Sequence, residues 1–217
     1  TDFLVLEMGA RAEGDIARLV GIARPDVGVI TTVGMAHTSA FGSLEVVART
    51  KGEMLDGLAP DGCAVLNADD DLVMGQAGRA RCPILTFGDR GEVRARQVNL
   101  DDLLRPEFRL ESPWGRADVH LGVHGAHMVP NALAAAAIGL FLGLSPEEVA
   151  AGLSSARLSP WRMEVATAPG GLVVVNDAYN ANPASMAAGL EALASIAVAG
   201  RRIAVVGLMA ELGGYEA

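Results

Sequence analysis

Residues 27–66 read VGVITTVGMAHTSAFGSLEVVARTKGEMLDGLAPDGCAVL, and their pattern changes twice. Val27–Val33 is a run of apolar and β-branched residues of strand length. In Gly42–Leu55, the residues Leu44, Val47, Ala48, Lys51 and Leu55 recur at i, i+3, i+4, i+7 and i+11, the spacing of one helix face. Cys63–Leu66 is a second short apolar run. Strand, helix and strand in this order predict a crossover unit with parallel strands, and continuous apolar runs are what a sheet covered on both faces requires.

The same alternation extends outward. Phe3–Leu6 reads as a strand ending in Glu7, and Ile16, Leu19, Val20 and Ala23 mark a helix that stops before Pro25. Downstream, Asn67–Asp71 ends the strand 63–66, and Ile84–Phe87 is the next strand. Residues 92–123 alternate polar and apolar, with Ser112–Gly115 as a turn, which predicts half-exposed antiparallel strands. A helix is predicted from about Asn131 to Leu142. A shorter one is opened by Ser145-Pro146-Glu147-Glu148, residues suited to a helix start. The pattern restarts near residue 158, with strands at Met163–Thr167, Leu172–Val175 and Arg202–Val206 and a helix from Asn182-Pro183. The expected fold is α/β: a mostly parallel sheet flanked by helices, a small antiparallel β-region, then the start of a second α/β domain. The expected domains are 1–158 and 159–217. Because Thr1 leads straight into a strand and the chain stops soon after Gly213, a fragment of a longer protein is expected.

Composition narrows the function. About half the residues are hydrophobic, 51%, but only 4% are aromatic, so Ala, Val and Leu must build the core. A formal net charge of −9 argues against a sequence-independent nucleic-acid binder, which needs a basic face. Cys63 and Cys82 are too few for a disulfide framework or zinc site and are expected as core thiols in a reducing cytoplasm. No signal peptide opens the sequence, and the longest apolar run, Ala132–Leu144, is too short to span a bilayer. No membrane association is expected.

Lys51 stands out. Of 17 Lys and Arg residues it is the only lysine. An arginine stays protonated, whereas a desolvated lysine can lose its proton and react. Lys51 falls on the apolar stripe of its helix, where it either lifts its ammonium into water or is used as a desolvated amine. Glu7 and His37 follow predicted strands, at the end of an open α/β sheet where ligands bind. Asp69, Asp70 and Asp71 could hold a metal or cap the next helix. Asn131 reads as an N-cap, and Asp177 as a turn residue or ligand at a strand end. His120 and His124 read as surface residues of the β-region, and His127 lies beside a helix start. Gly207–Gly213 lacks dinucleotide-binding spacing, and there is no G-x-x-x-x-G-K-[ST] phosphate loop.

Taken together, Glu7-Met8-Gly9-Ala10, His37 with Phe41-Gly42-Ser43, Lys51-Gly52-Glu53, Asn67-Ala68-Asp69, His127 with Asn131–Ala135, and Asp177–Pro183 resemble the Mur ligases in order and spacing, end to end. Within that family, Glu7–Ala10 and Tyr179–Pro183 are most similar to the branch that adds D-alanyl-D-alanine to UDP-N-acetylmuramoyl-tripeptide in peptidoglycan precursor synthesis. The resemblance implies a cytoplasmic, monomeric, three-domain enzyme. This chain would supply the central ATP-binding domain and the first part of a carboxyl-terminal, Rossmann-like α/β domain, and the phosphate loop would lie upstream. ATP would phosphorylate the substrate carboxylate, and the dipeptide amine would attack the acyl phosphate.

Residue by residue, the resemblance implies that Glu7 and His37 are magnesium ligands. It implies that Lys51 is carbamylated by carbon dioxide and serves a second magnesium. Asn131, with His127 beside it, would contact the nucleotide from the central domain, and Arg162 and Asp177 would reach it from the carboxyl-terminal domain, a split site that needs domain closure. Tyr179, Asn180 and Asn182 are implied as substrate-binding residues. Thr38-Ser39, Trp161 and Leu208 depart from the family pattern, where Leu-Glu, glycine and aspartate are usual. Rival readings are a sibling Mur ligase, a folylpolyglutamate synthase-like ligase, or a non-catalytic nucleotide-binding module. The isolated 217-residue piece is expected not to ligate.

Overall fold

The computed structural model describes residues 3–34, 41–198 and 200–209. They form two compact units that divide between Thr86 and Phe87.

In the first unit, helix α1 (Asp15–Ala23) buries Ile16 and Val20 and ends at Arg24, which adopts a left-handed φ of 47° just before Pro25. Its N-cap is Gly14, which has no side chain to cap with. The Glu53 carboxylate does so from another helix, accepting the Gly14 amide at 2.7 Å and the Ala17 amide at 3.0 Å. Strand β1 (Val27–Ile30) and strand β2 (Cys63–Asn67) pair in parallel, Val27 opposite Cys63 and Ile30 opposite Leu66. Strand β3 (Ile84–Phe87) adds to β2, giving the order β1-β2-β3. The connection between β1 and β2 contains helix α2 (Leu44–Asp56), capped by the Ser43 hydroxyl.

Helix α2 buries Val47, Ala48 and Leu55 against Ile30, Leu58, Ala64, Leu66 and Val73, the face anticipated from the spacing. Thr50 is also buried, its hydroxyl donating to the Val46 carbonyl at 2.9 Å. Gly28 in β1 is where the α2 segment comes closest. A Cβ there would lie 2.8 Å from Met54 and 3.0 Å from Leu58.

The second unit begins with an antiparallel meander: β4 (Arg94–Leu100), β5 (Pro106–Ser112) and β6 (Gly115–His120). Its alternation is the one expected, with Ala95, Phe108, Leu110 and Val119 buried. The β4–β5 register slips between Arg96 and Asn99, where Gln97 has φ 54°. Helices α4 (Val129–Phe141) and α5 (Pro146–Ser154) follow, and α5 opens with a complete capping box between Ser145 and Glu148. A hairpin of β7 (Glu164–Ala168) and β8 (Leu172–Asn176) turns through Gly170 and Gly171, both at positive φ. Helix α6 (Pro183–Ser195) packs on it through Ala192. Met163, Leu104, Ala192 and Ile196 are buried together.

The structure corrects several expectations. Phe3–Leu6 is not a strand, and all four residues are exposed. A strand exists only through hydrogen bonds to a neighbour, and no described residue pairs with this run. Ile203, Val205 and Val206 are exposed and unpaired for the same reason. Strand β1 stops at Ile30 rather than Val33, because Asn67 and Asp70, which precede helix α3 (Asp71–Met74), bind the Thr31 carbonyl and the Val33 amide in place of a strand. Asn131 is not an N-cap. The chain enters α4 from a 3-10 turn, and Pro130, whose missing N–H costs nothing in a first turn, leaves Asn131 inside the helix. Among the described residues no helix is long and apolar enough to cross a membrane.

Candidate functional site

Two groups of the anticipated residues come together, one in each unit.

In the first unit, Lys51 is half-buried on α2. Burial pulls its amine below the ordinary lysine range, and the carboxylates of Asp70 and Glu7 oppose that shift. Glu7 is thus near enough for its charge to act on Lys51, although no described residue pairs with the run before it. His37 lies outside the described residues.

Asp70 is the residue that sequence reading undervalued. It caps α3 by accepting the Leu72 and Val73 amides through Oδ1. Through Oδ2 it also accepts the Val33 amide at 2.7 Å and the Thr32 hydroxyl at 3.0 Å. Asn67 works beside it, donating from Nδ2 to the Thr31 carbonyl at 2.8 Å and accepting the Asp69 amide. The loop after β2 thus fastens the carboxyl end of β1, just before His37, and holds an anion near Lys51. The Asn67–Asp71 run was the available signal, but by itself it indicates a metal ligand or a cap and not the tie to the end of β1.

The helix carrying Lys51 is fixed from outside. Arg79 donates from Nη1 to the Arg49 carbonyl at 2.7 Å and pairs with Asp56 through Nε and Nη2.

In the second unit, the Arg162 guanidinium lies 4.3 Å from the centre of the Tyr179 ring. Asp177 accepts the Met163 amide at 3.0 Å through Oδ1. His127 packs over Gly125, whose φ of 97° and close contact leave no room for a side chain. Burial lowers the His127 pKa from its ordinary value, and the Asp177 charge opposes that shift. Asn131 is exposed, its amide 3.7 Å from the Met128 sulfur. Asn180 accepts the Ala181 amide, and Asn182 is the N-cap of α6, paired in a capping box with Ser185. Thus Arg162, Tyr179, Asp177 and His127 converge, while Asn180 and Asn182 are engaged in shaping their own turn. Glu164, absent from the anticipated set, accepts the Trp161 amide at 3.0 Å and the Asn176 side chain at 3.2 Å.

Among the described residues no group of three or more His, Cys, Asp and Glu is arranged to hold a metal ion. The donor chemistry around Lys51 would suit a hard divalent cation were the lysine carbamylated. Glu7 and Asp70 offer carboxylate oxygens, and a carbamate would turn their compensating cation into a third anion that needs a counter-charge.

Residues 1–139 match the profile of the Mur ligase middle domain, nearly two thirds of the chain. The chain belongs to the Mur ligase family. Residues 161–216 of this Mur ligase also match the glutamate ligase domain profile. The UDP-N-acetylmuramoyl-tripeptide–D-alanyl-D-alanine ligase of Mycobacterium tuberculosis is 49% identical over 98% of this chain and 43% of its own length. The Escherichia coli ligase of the same name is 35% identical over 98% of this chain and 47% of its own. This Mur ligase chain therefore spans less than half the length of the curated relatives it matches. In structure it resembles MurF from Acinetobacter baumannii, with a TM-score of 0.90 and 33% identity over 96% of this chain and 46% of that one. It also resembles MurF from Thermotoga maritima, solved in complex with ADP, with a TM-score of 0.81 and 30% identity over 96% of this chain and 48% of that one.

Proposed function

We propose that this chain is part of an ATP-dependent peptide ligase that joins D-alanyl-D-alanine to UDP-N-acetylmuramoyl-tripeptide through an acyl phosphate. The observation that carries the reading is the 49% identity, across 98% of the chain, to a ligase of that name. The central, ATP-binding domain would end near residue 158 and the carboxyl-terminal ligase domain would follow. The protein would act as a monomer in the cytoplasm, where peptidoglycan precursors are built.

Lys51 supports the chemistry. Its burial raises the neutral fraction of the amine. Neutral Nζ would attack carbon dioxide, forming an N–C bond, moving an electron pair onto oxygen and releasing a proton to solvent. The resulting carbamate, with Glu7 and His37, would provide oxygen and imidazole ligands for two magnesium ions. Magnesium, when bound, would neutralise charge that develops on the phosphates during transfer. Arg162, Asp177, His127 and Asn131 would hold the nucleotide. Asn180 and Asn182 lie on the segment that would receive substrate, and Tyr179, on the same segment, carries the Arg162 guanidinium over its ring.

The test is phosphate release by the full-length gene product with ATP, magnesium and UDP-N-acetylmuramoyl-tripeptide, with and without D-alanyl-D-alanine. Release that needs the dipeptide, falls with Lys51→Ala and returns on adding a short-chain carboxylate is the expected result. Release with a different amine acceptor would assign the protein to a sibling ligase. Nucleotide binding without turnover on any acceptor would leave a binding module.

A further inference from the structure

Arg162 sits in an unusual piece of backbone. The residues on either side of it, Trp161 and Met163, both have left-handed φ angles, 66° and 46°. Neither is glycine, and side-chain-bearing residues hold such a conformation only where their surroundings enforce it. Here the surroundings do. The Trp161 amide donates to Glu164 Oε2 at 3.0 Å, and the Trp161 carbonyl accepts the Tyr179 amide at 3.1 Å. The Met163 amide donates to Asp177 Oδ1 at 3.0 Å, and the Met163 side chain is 2% exposed among Leu104, Ala192 and Ile196. Every tie falls on Trp161 or Met163, and the guanidinium between them is left to lie over the Tyr179 ring at 4.3 Å.

Glu164 is the member of this arrangement with no other evident task. One oxygen, Oε2, receives both the Trp161 amide and the Asn176 amide group at the end of β8. It therefore joins the turn that carries Arg162 to the strand that leads into Asp177 and Tyr179. We propose that Glu164 is a positioning residue, which locks the 161–163 turn so that Arg162 rests on the Tyr179 ring with its remaining N–H donors free for an anionic group of the nucleotide. Tyr179 is then the platform for Arg162 rather than a contact for the acceptor dipeptide. This inference rests on the proposed function only for the identity of the anion.

The test uses the full-length protein with labelled arginine, the Arg162 signal being assigned by its loss in Arg162→Lys. In the wild type the side-chain resonances of Arg162 are expected to carry an upfield ring-current shift. The shift persists in Tyr179→Phe and in Glu164→Gln, which keeps an acceptor oxygen. It disappears in Tyr179→Leu and collapses in Glu164→Ala. Calorimetry with magnesium and ADP is expected to show affinity falling about two- to fivefold in Tyr179→Leu, the range for an exposed cation–π contact. In Glu164→Ala the fall is about tenfold, as for a lost hydrogen bond to a charged group. Phe and Gln restore wild-type binding, and the KM for D-alanyl-D-alanine stays within about twofold throughout, an unmoved value in keeping with the platform role.

An unchanged Arg162 signal in Glu164→Ala overturns the positioning role. So does equal ADP affinity in the wild type and Glu164→Ala. A dipeptide KM that rises in Tyr179→Leu while ADP affinity holds overturns the platform role. A wild type that shows the shifted Arg162 signal but neither binds ADP nor releases phosphate overturns the nucleotide assignment and, with it, the proposed function. Loss of signal in Glu164→Ala through unfolding would show in the remaining arginine resonances, and Glu164→Gln against Glu164→Leu then decides in its place.

Discussion

The guanidinium of Arg79 occupies the space that a side chain on Gly52 would need: a Cβ built there lies 2.6 Å from Arg79 Nη1 and 2.7 Å from Gln76 Oε1. Gly52 follows Lys51 directly, so the glycine lets Arg79 cross α2 and reach the Arg49 carbonyl and Asp56.

Gly52→Ala is accordingly expected to destabilise. Alanine is the better helix former by about 1 kcal/mol, but the methyl displaces Arg79 from both partners, and crowding of this kind costs about 1–3 kcal/mol. Urea unfolding should give a net loss of about 1 kcal/mol. In the double variant with Arg79→Ala, the substitution at Gly52 should become stabilising. A stabilising effect in the single variant would sink the argument.

Glu53 should prove structural. Its carboxylate accepts the amides of Gly14, the N-cap, and Ala17, in the first turn of α1. Glu53→Ala should lower stability by about 1 kcal/mol, the usual worth of a helix cap, and should speed amide exchange in the first turn of α1. Unaltered exchange there would show that the cap contributes nothing.

Because Lys51 is the only lysine in the chain, selective labelling of lysine Cε in this 217-residue chain yields one side-chain resonance. Its titration midpoint should fall below the ordinary value of about 10.4, since burial outweighs the Asp70 and Glu7 charges. Glu7→Gln removes one opposing charge and should lower the midpoint further. A midpoint at or above the ordinary value would show that the amine is fully solvated or firmly ion-paired.

Asp70 gives a pH dependence with a definite sign. Burial raises its pKa, but hydrogen bonds from the Val33 and Val73 amides, the Thr32 hydroxyl and the Leu72 amide outweigh it, so the folded carboxyl titrates below the ordinary aspartate value. A depressed carboxylate contributes stability that is complete above the unfolded pKa, about 3.9. That stability is lost as pH falls through the lower folded pKa. Unfolding free energy should therefore fall as pH drops below about 4, less steeply in Asp70→Asn. Identical slopes would remove Asp70 from the acid sensitivity.

Asn182 separates two roles. As N-cap of α6 its Oδ1 accepts the Ser185 amide at 2.9 Å. Asn182→Asp and Asn182→Ser keep a capping oxygen and should retain stability, whereas Asn182→Ala should lose about 1 kcal/mol. If Asn182→Ala unfolds at the same denaturant concentration as the wild type, the cap does not explain this residue.

Local chemistry wrote much of this fold into the sequence. The Leu44–Leu55 spacing, the Ser145–Glu148 capping box, the Asn182-Pro183 start and the Pro113-Trp114 hairpin tip act within a few residues, and each forms where its residues predict. The order of short motifs from Glu7 to Pro183 was enough to indicate the family. What distant partners decide was not legible. Phe3–Leu6 and Ile203–Val206 have the composition of strands, but the described residues offer them no hydrogen-bonding neighbour. Asn131 was displaced from its capping place by one turn of 3-10 helix. Asp70 near Lys51, Glu53 beneath α1 and Arg162 over Tyr179 each join residues 15 or more positions apart. No periodicity records such pairs, because burial and charge at a site come from whatever the folded chain brings alongside.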